Sequence, residues 1–257
     1  MRGGMYKSIV LHERRPEFTR QRFMDHWLNI HAPMSEGAEE LYGYVCNEVI
    51  EQFTLSAIPA FELQADVDGI AQMWFEQPDG LITLPRQPRV KEWFNDGPNF
   101  IGRRMRFVGD EKIVVRPKRL SGSTPKLMLF FVRAENSNAD TFRSRIEIAF
   151  RSPSLQQLSG SGSTLAHIVD SPTSASVVGF PMPLVDTVAE IWFPELKSAV
   201  HAATTVAAEL KAMRSLGIGG ARAFATMETV IRTPQDVAER SATNQAGQSL
   251  YQGSTGR

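Results

Sequence analysis

His31 sits in WLNIHAP, residues 27 to 33, where the first helical pattern of the chain ends at Pro33. An imidazole with an ordinary pKa of about 6.5 exchanges protons near neutral pH. Held in position, it contributes roughly 10²–10⁴-fold to a proton-transfer step. His31 is therefore the candidate general acid or base. The competing reading is structural, because a histidine in a last helical turn complements the helix dipole or caps the final carbonyls. Trp27 lies one turn earlier and is expected on the same face, either walling a cavity or packing the core. Asp25 and His26 are expected to face away. Tyr44 and His167 fall in alternating strand patterns, LYGYV and LAHIV, and either meet solvent or line the interior as polar partners of His31. His12 closes the first strand pattern, and alternation alone leaves its side of the sheet open.

Other chemistries find less support. A metal site needs three or four convergent ligands, yet no H-x-x-x-H or H-E-x-x-H pair occurs, and His26 and His31 are five apart and so expected on different faces. SGSGST at 159–164 lacks the lysine of a phosphate loop, and GIGG at 217–220 runs from helix to strand, the reverse of the dinucleotide arrangement. Cys46 is the only cysteine, which excludes an intrachain disulfide and fits a reducing cytoplasm. Lys plus Arg and Asp plus Glu balance at 28 each, so no net field draws the chain to nucleic acid or an anionic membrane. The basic run Arg103-Arg104-Met105-Arg106 is expected to be solvated surface. No stretch of 18 apolar residues is present, and the N-terminus lacks the apolar core of a signal peptide.

The elements that must position these residues are written twice. VDGIAQMWFEQ at 67–77 is matched by VDTVAEIWFPE at 185–195, so that Asp68, Ala71, Trp74 and Phe75 pair with Asp186, Ala189, Trp192 and Phe193. Phe107, Glu111, Arg116 and Pro117 likewise face Phe224, Glu228, Arg232 and Pro234. Each half has the order strand, helix, strand, strand, helix, strand, which is the ferredoxin-like split βαβ pattern. In the first half the second helix is expected over Pro88 to Phe94. Trp74 and Phe75 are strand neighbours and must point to opposite faces; one packs under helices, and the other needs a second sheet to cover it. The expected fold is α+β, two ferredoxin-like βαββαβ units forming an intramolecular dimeric α+β barrel, drawn as two sheets closed face to face. The units are placed at 5–117 and 126–234, with a linker at 118–125 and a flexible polar tail at 235–257.

FMDHWLNIHAP, DGIAQMWF, NDGPNFI and RRMRFVGDEKIVV, in that order, resemble the EthD family of dimeric α+β barrel proteins. The resemblance covers about residues 5–117 and rests on Trp27, His31, Ala32, Pro33, Asp68, Gly69, Ala71, Asp96, Phe100, Ile101 and Glu111. The second half departs from it, with Ile146 and Phe150 where the first has Trp27 and His31, and Asp186-Thr187 for Asp68-Gly69. The resemblance implies a small protein without cofactor or metal, concerned with ethers, aromatic compounds, lactones or polyketides. It also brings in Asp96 and Phe100, expected in a loop after the second helix, as substrate contacts or as formers of the turn-rich NDGPN.

The combined expectation is a cofactor-independent isomerase, dehydratase or decarboxylase. It would act on a small hydrophobic carbonyl-bearing or aromatic metabolite through His31, with Trp27, Tyr44, Phe100, His167 and Asp96 around the substrate. A non-catalytic ligand carrier or accessory protein of an oxygenase is the alternative. One cavity, in the first half, is expected, in a monomeric pseudo-dimer or a homodimer.

Overall fold

A computed structural model describes residues 5–54, 66–117, 122–158, 162–170, 185–212 and 216–234. In chain order the elements are β1 (Tyr6–Arg14), α1 (Arg20–His26), β2 (Gly43–Thr54), β3 (Gly69–Phe75), α2 (Gly80–Thr83), α3 (Lys91–Phe100) and β4 (Ile101–Val115). They continue with β5 (Ser123–Arg133), α4 (Ala139–Phe150), α5 (Pro153–Leu158), β6 (Ser163–Asp170), β7 (Thr187–Trp192), α6 (Leu196–Ala212) and β8 (Ile218–Arg232). Residues 123–125, expected in the linker, belong to β5, because the alternating pattern already pairs Ser123 with Thr229 on β8. The remaining linker residues 118–121 and the tail 235–257 lie outside the described residues.

The eight strands close a barrel in the order β1-β3-β2-β8-β5-β7-β6-β4. The sheets therefore do not lie face to face as separate layers. They join edge to edge, β2 to β8 and β4 to β6, both antiparallel. Edge strands expose unpaired backbone groups, and closure removes them. The alternation of each strand then sorts side chains between barrel interior and helix side. On β3, Ile70, Gln72 and Trp74 turn inward while Ala71, Met73 and Phe75 meet the helices, as the opposed faces of Trp74 and Phe75 require.

An eight-stranded barrel is just wide enough for side chains to fill, and here the filling is partly ionic. Lys126 Nζ donates to Gln72 Oε1 at 2.6 Å, Glu228 Oε2 at 2.7 Å and Glu190 Oε2 at 2.9 Å. Lys7 Nζ pairs with Glu190 at 2.5 Å and with Glu111. Trp74 Nε1 donates to Glu111 and Trp192 Nε1 to Glu228, and the two ammonium groups lie 4.8 and 5.0 Å from the centres of the same two indoles. Ile9, Phe107, Phe130 and Phe224 pack the rest of the interior.

The Asp of each repeat is a staple. Asp68 Oδ2 accepts from the Arg14 backbone N–H at 2.9 Å and its other oxygen from the Arg14 guanidinium. Asp186 does the same for Arg133, at 2.9 and 3.2 Å. Removing a buried acceptor strands its donors, which costs about 1–3 kcal/mol each. Asp68→Ala is therefore expected to destabilise the fold by about 3 kcal/mol, and Asp68→Asn, which can still accept from the Arg14 N–H, by less. Urea unfolding of the two variants checks the order.

Candidate active site

Thr19 begins the first helix by accepting from the Arg22 N–H at 3.2 Å, the usual N-cap bond. The helix does not end as an α-helix. Trp27–His31 forms a π turn in which the Ala32 N–H reaches the Trp27 carbonyl, five residues back. A 3-10 turn, Ala32–Gly37, then runs to Ala38. π turns insert one residue into a helix and recur at functional sites. The inserted residue rotates the side chains of the turn relative to those of α1, so the expectation for His26 is corrected. His26 and His31, five apart, converge on one carboxylate, that of Asp96.

Asp96 is not in a loop. The helix expected to stop near Phe94 runs to Phe100 as α3, with Pro98 inside it, since a single missing N–H near the C-terminus removes one bond without ending the turn. Asp96 and Phe100 thus face His31 from a helix. His31 Nδ1 lies 2.9 Å from Asp96 Oδ2, His26 Nε2 lies 3.0 Å from the same oxygen, and Asn99 Nδ2 donates to Oδ1 at 3.2 Å. A carboxylate only accepts, so both histidines donate to it, and His31 carries its proton on Nδ1. The Nε2 lone pair of neutral His31 is left for chemistry. Phe100 closes one side of the imidazole, ring centres 4.9 Å apart, and Trp93 another at 5.8 Å.

His31 is buried, and it lines a cavity of about 310 Å³ between the helix side of the sheet and α2 and α3. Val10, Ala71, Met73, Leu81, Ile82, Trp93 and Phe94 give it apolar walls, and His12, Tyr44, Arg104 and Arg106 its remaining polar lining. An apolar hollow with a few convergent polar groups is the general form of a small-molecule site. Burial pushes the His31 pKa below its ordinary value; Asp96 opposes this, and the charges of His26 and Arg104 add to it. For Asp96, burial favours the acid form, but the bonds from His26, His31 and Asn99 outweigh it and hold the carboxyl below its usual range.

The other expected residues divide. Tyr44 lines the cavity, its hydroxyl accepting from Trp27 Nε1 at 2.9 Å, and burial raises its pKa so that it stays a phenol. Trp27 and Phe100 do not line the cavity. Trp27 is wholly buried against the sheet, where a Cβ at Gly69 would come within 2.2 Å of its ring. That contact is the physical reason for the glycine of Asp68-Gly69. In the second half, where Ile146 replaces the indole, position 187 is free to be threonine. His167 is not brought to His31. It lies on β6 in the other half, its ring fully engaged by Thr187 Oγ1 at 3.0 Å and Glu147 Oε1 at 2.9 Å.

The expectation of a solvated basic run holds for the exposed Arg103 and Arg104 and is corrected for Arg106, which is 7% exposed. Met105 and Phe107 enter the barrel interior, so the intervening positions must turn to the helix side, and Arg104 and Arg106 reach the cavity. His12 and Trp93 also line it. The signal for the arginines and for His12 was present in the alternation but needed a hydrophobic neighbour of known direction to be used. Nothing in the composition marked His26 or Trp93. Cys46 is buried with its thiol pushed well up, a poor nucleophile. Among the described residues no group of three or more His, Cys, Asp or Glu is placed to hold a metal ion, and no helix is long and apolar enough to cross a membrane.

In the second half the layer corresponding to the cavity is packed by Phe131, Phe142, Ile146, Phe150 and Leu155. Arg232 of β8 nonetheless serves the first half, donating to the carbonyls of Ala38 at 2.8 Å, Glu36 at 3.0 Å and Ser35 at 3.2 Å. It thereby clamps the turn next to His31.

The fold is a closed α+β barrel in which His26 and His31 share the Asp96 carboxylate, with His31 at an apolar hollow. Residues 15–104 match the EthD domain model, a likeness confined to that stretch of the first half. A proposed monooxygenase from Fusobacterium nucleatum subsp. nucleatum ATCC 25586 is similar in structure at 9% identity, covering 92% of this chain and 98% of its own, with a TM-score of 0.55. An anthrone oxidase-like protein superposes at 8% identity over 91% of this chain and 96% of its own, TM-score 0.56. A proposed monooxygenase from Lactobacillus acidophilus NCFM does so at 8%, over 88% and 95%, TM-score 0.53. At such identities these likenesses show the fold alone. No curated protein matches the sequence.

Proposed function

We propose that this protein is a cofactor-independent acid–base enzyme of the isomerase, dehydratase or decarboxylase type. Its substrate is a small hydrophobic carbonyl-bearing or aromatic molecule held in the first-half cavity. The observation that carries the reading is His31 itself, with Nδ1–H tied to Asp96 and the opposite nitrogen available at an apolar hollow. A fixed tautomer and a pKa below the ordinary value keep the imidazole neutral and basic at neutral pH. Proton abstraction next to a carbonyl then gives an enolate, and the same nitrogen returns the proton to the product. Tyr44, a phenol at working pH, supplies a hydrogen bond to the carbonyl oxygen. Asp96 acts through His31 and is a positioning residue.

The strand order, 4-1-3-2 followed by 8-5-7-6, supports reading residues 5–117 and 126–234 as two ferredoxin-like units closed within one chain. On that reading a monomer suffices, one copy keeping the site and the other, with Ile146 and Phe150, closing the barrel.

Exchange of α-protons for deuterium tests the activity without knowledge of the natural substrate. Aryl and cyclic ketones, with and without a carboxylate, are incubated in D₂O and monitored by proton NMR. Exchange above the buffer rate in wild type, lost in His31→Ala, is expected. Ligands that bind wild type and His31→Ala alike, with no exchange in either, would make the protein a carrier instead.

Asp96→Asn provides the pH test. An amide no longer opposes the lowering of the His31 pKa by burial, His26 and Arg104. The acid limb of the pH–rate profile is therefore expected to move to lower pH, with a reduced plateau. A limb that moves upward or stays in place contradicts the coupling.

A further inference from the structure

The donors and acceptors around the cavity are unequally represented. Arg104 and Arg106 have donors and no acceptor, and the Trp93 indole N–H only donates. The Tyr44 hydroxyl is already engaged, accepting from Trp27 and interacting with the Cys46 thiol, so it adds no free acceptor to the lining. Asp96, the carboxylate nearest the site, is turned onto His26, His31 and Asn99 and is absent from the lining. Two of the buried groups at the wall have no hydrogen-bond partner among the described residues: Trp93 Nε1 and His12 Nδ1. Trp93 is 4% exposed and His12 5%. Buried polar atoms of this kind are rare in folded proteins and call for a partner.

The positive end of the hollow can be located. A Cβ added at Gly97 would lie 3.8 Å from an Arg104 guanidinium nitrogen and 4.0 Å from His31 Cε1. The guanidinium and the imidazole therefore meet across the same bare glycine. Arg104 is exposed, at the opening, whereas Arg106 is 7% exposed and sits one alternation further along β4. The far walls, Leu81, Ile82, Pro85 and Phe94, are apolar. Burial, with the neighbouring His31 ring and the Arg104 charge, also holds His12 neutral, its pKa lowered to about 3. It faces a ligand as an uncharged ring able to donate through Nδ1.

We propose that the substrate of this cavity is an apolar acid, an aromatic or alicyclic monocarboxylate. Its carboxylate is paired with Arg104 and Arg106 and its ring system lies against Trp93, Met73 and the α2–α3 wall. Arg104 is then a specificity-determining residue, and Trp93 N–H and His12 are the additional hydrogen-bonding groups at the acidic end. The proposal rests on the cavity being the site that His31 serves, but it concerns recognition and not proton transfer.

Its test reads binding only, so it stands apart from the exchange experiment. 2-Naphthoate and its neutral counterpart 2-acetonaphthone are titrated calorimetrically into wild type and Arg104→Gln. A hydrogen bond to a charged group contributes about 1.5–3 kcal/mol, so naphthoate should bind wild type at least tenfold more tightly than the ketone. Arg104→Gln should abolish that preference, weakening naphthoate at least tenfold more than it weakens the ketone. Equal or tighter binding of the ketone, a preference that survives in Arg104→Gln, or no binding of naphthoate overturns the proposal. Proton exchange on a neutral ketone, lost in His31→Ala, would meanwhile leave the acid–base reading standing. Exposed Arg104 is chosen over buried Arg106 because its loss leaves folding undisturbed, which an unchanged melting temperature verifies.

Discussion

His31→Ala is expected to lower turnover by roughly 10²–10⁴-fold, the contribution of a positioned acid–base group, with little change in ligand affinity or in fold. The separation arises from the geometry. The walls that bind the apolar body belong to β1, β3, α2 and α3 and do not depend on the imidazole, so KM should hold while kcat falls. Stability should change modestly, because His31 touches Phe100 and Trp93 but its strongest bond, to Asp96, is shared by His26 and Asn99. Asp96 keeps two partners when His31 is gone. Steady-state kinetics on any ketone found to exchange, with circular dichroism alongside, measures both. A fall in kcat under tenfold would place His31 outside the chemistry.

Lys126→Met is expected to unfold the protein or come close to it. The lysine is wholly buried and donates to Gln72, Glu190 and Glu228, and Lys7 is the other cation of this interior cluster. With Lys126 gone, three carboxylates, Glu111, Glu190 and Glu228, face one ammonium group. Breaking a buried pair by removing one partner costs about 3–5 kcal/mol, against a total stability of about 5–15 kcal/mol for an ordinary domain. The sign of the pH dependence is set by Glu190. Burial favours its acid form, but Lys126 and Lys7 outweigh this and hold its pKa far below the ordinary value. It therefore contributes stability above the usual glutamate pKa that is lost as the pH falls. In Lys126→Met that depression is largely removed, so the deficit relative to wild type should shrink on acidification. Chemical unfolding at two pH values checks both statements; a deficit below about 1 kcal/mol, well under the cost of a broken buried pair and independent of pH, would refute them.

The strand pattern and the opposed faces of Trp74 and Phe75 were legible because two periods, 2 and 3.6, leave a plain hydrophobic trace. The site was legible in part. His31 stood out by residue type, and Asp96 and Phe100 by the resemblance, but not the way they meet. A π turn adds one residue to a helix without any change in composition, so the four-residue spacing of Trp27 and His31 pointed to the wrong pair and concealed His26. Helix α3 was cut short because Pro98 and the Asn-Asp-Gly run suggest a turn, whereas packing of Trp93 and Phe100 on the sheet keeps the helix going. Arg106 was hidden by its run, since consecutive charges suggest surface until Met105 and Phe107 are known to enter the barrel. Lys7 and Lys126 were hidden for the opposite reason. A lysine in an alternating strand looks like a solvent position, and only closure of the barrel turns that face inward, toward the carboxylates that balance it.

The most direct test of the account is a pH titration of the histidine ring nitrogens by NMR in ¹⁵N-labelled protein, comparing wild type, His31→Ala and Asp96→Asn. The arrangement predicts that the resonances lost in His31→Ala belong to a neutral ring protonated on Nδ1, with a pKa below the ordinary value of about 6.5 that falls further in Asp96→Asn. A His31 protonated on Nε2, or one that titrates at the ordinary value and ignores Asp96→Asn, would contradict the claim that Asp96 fixes this imidazole as the base of the cavity.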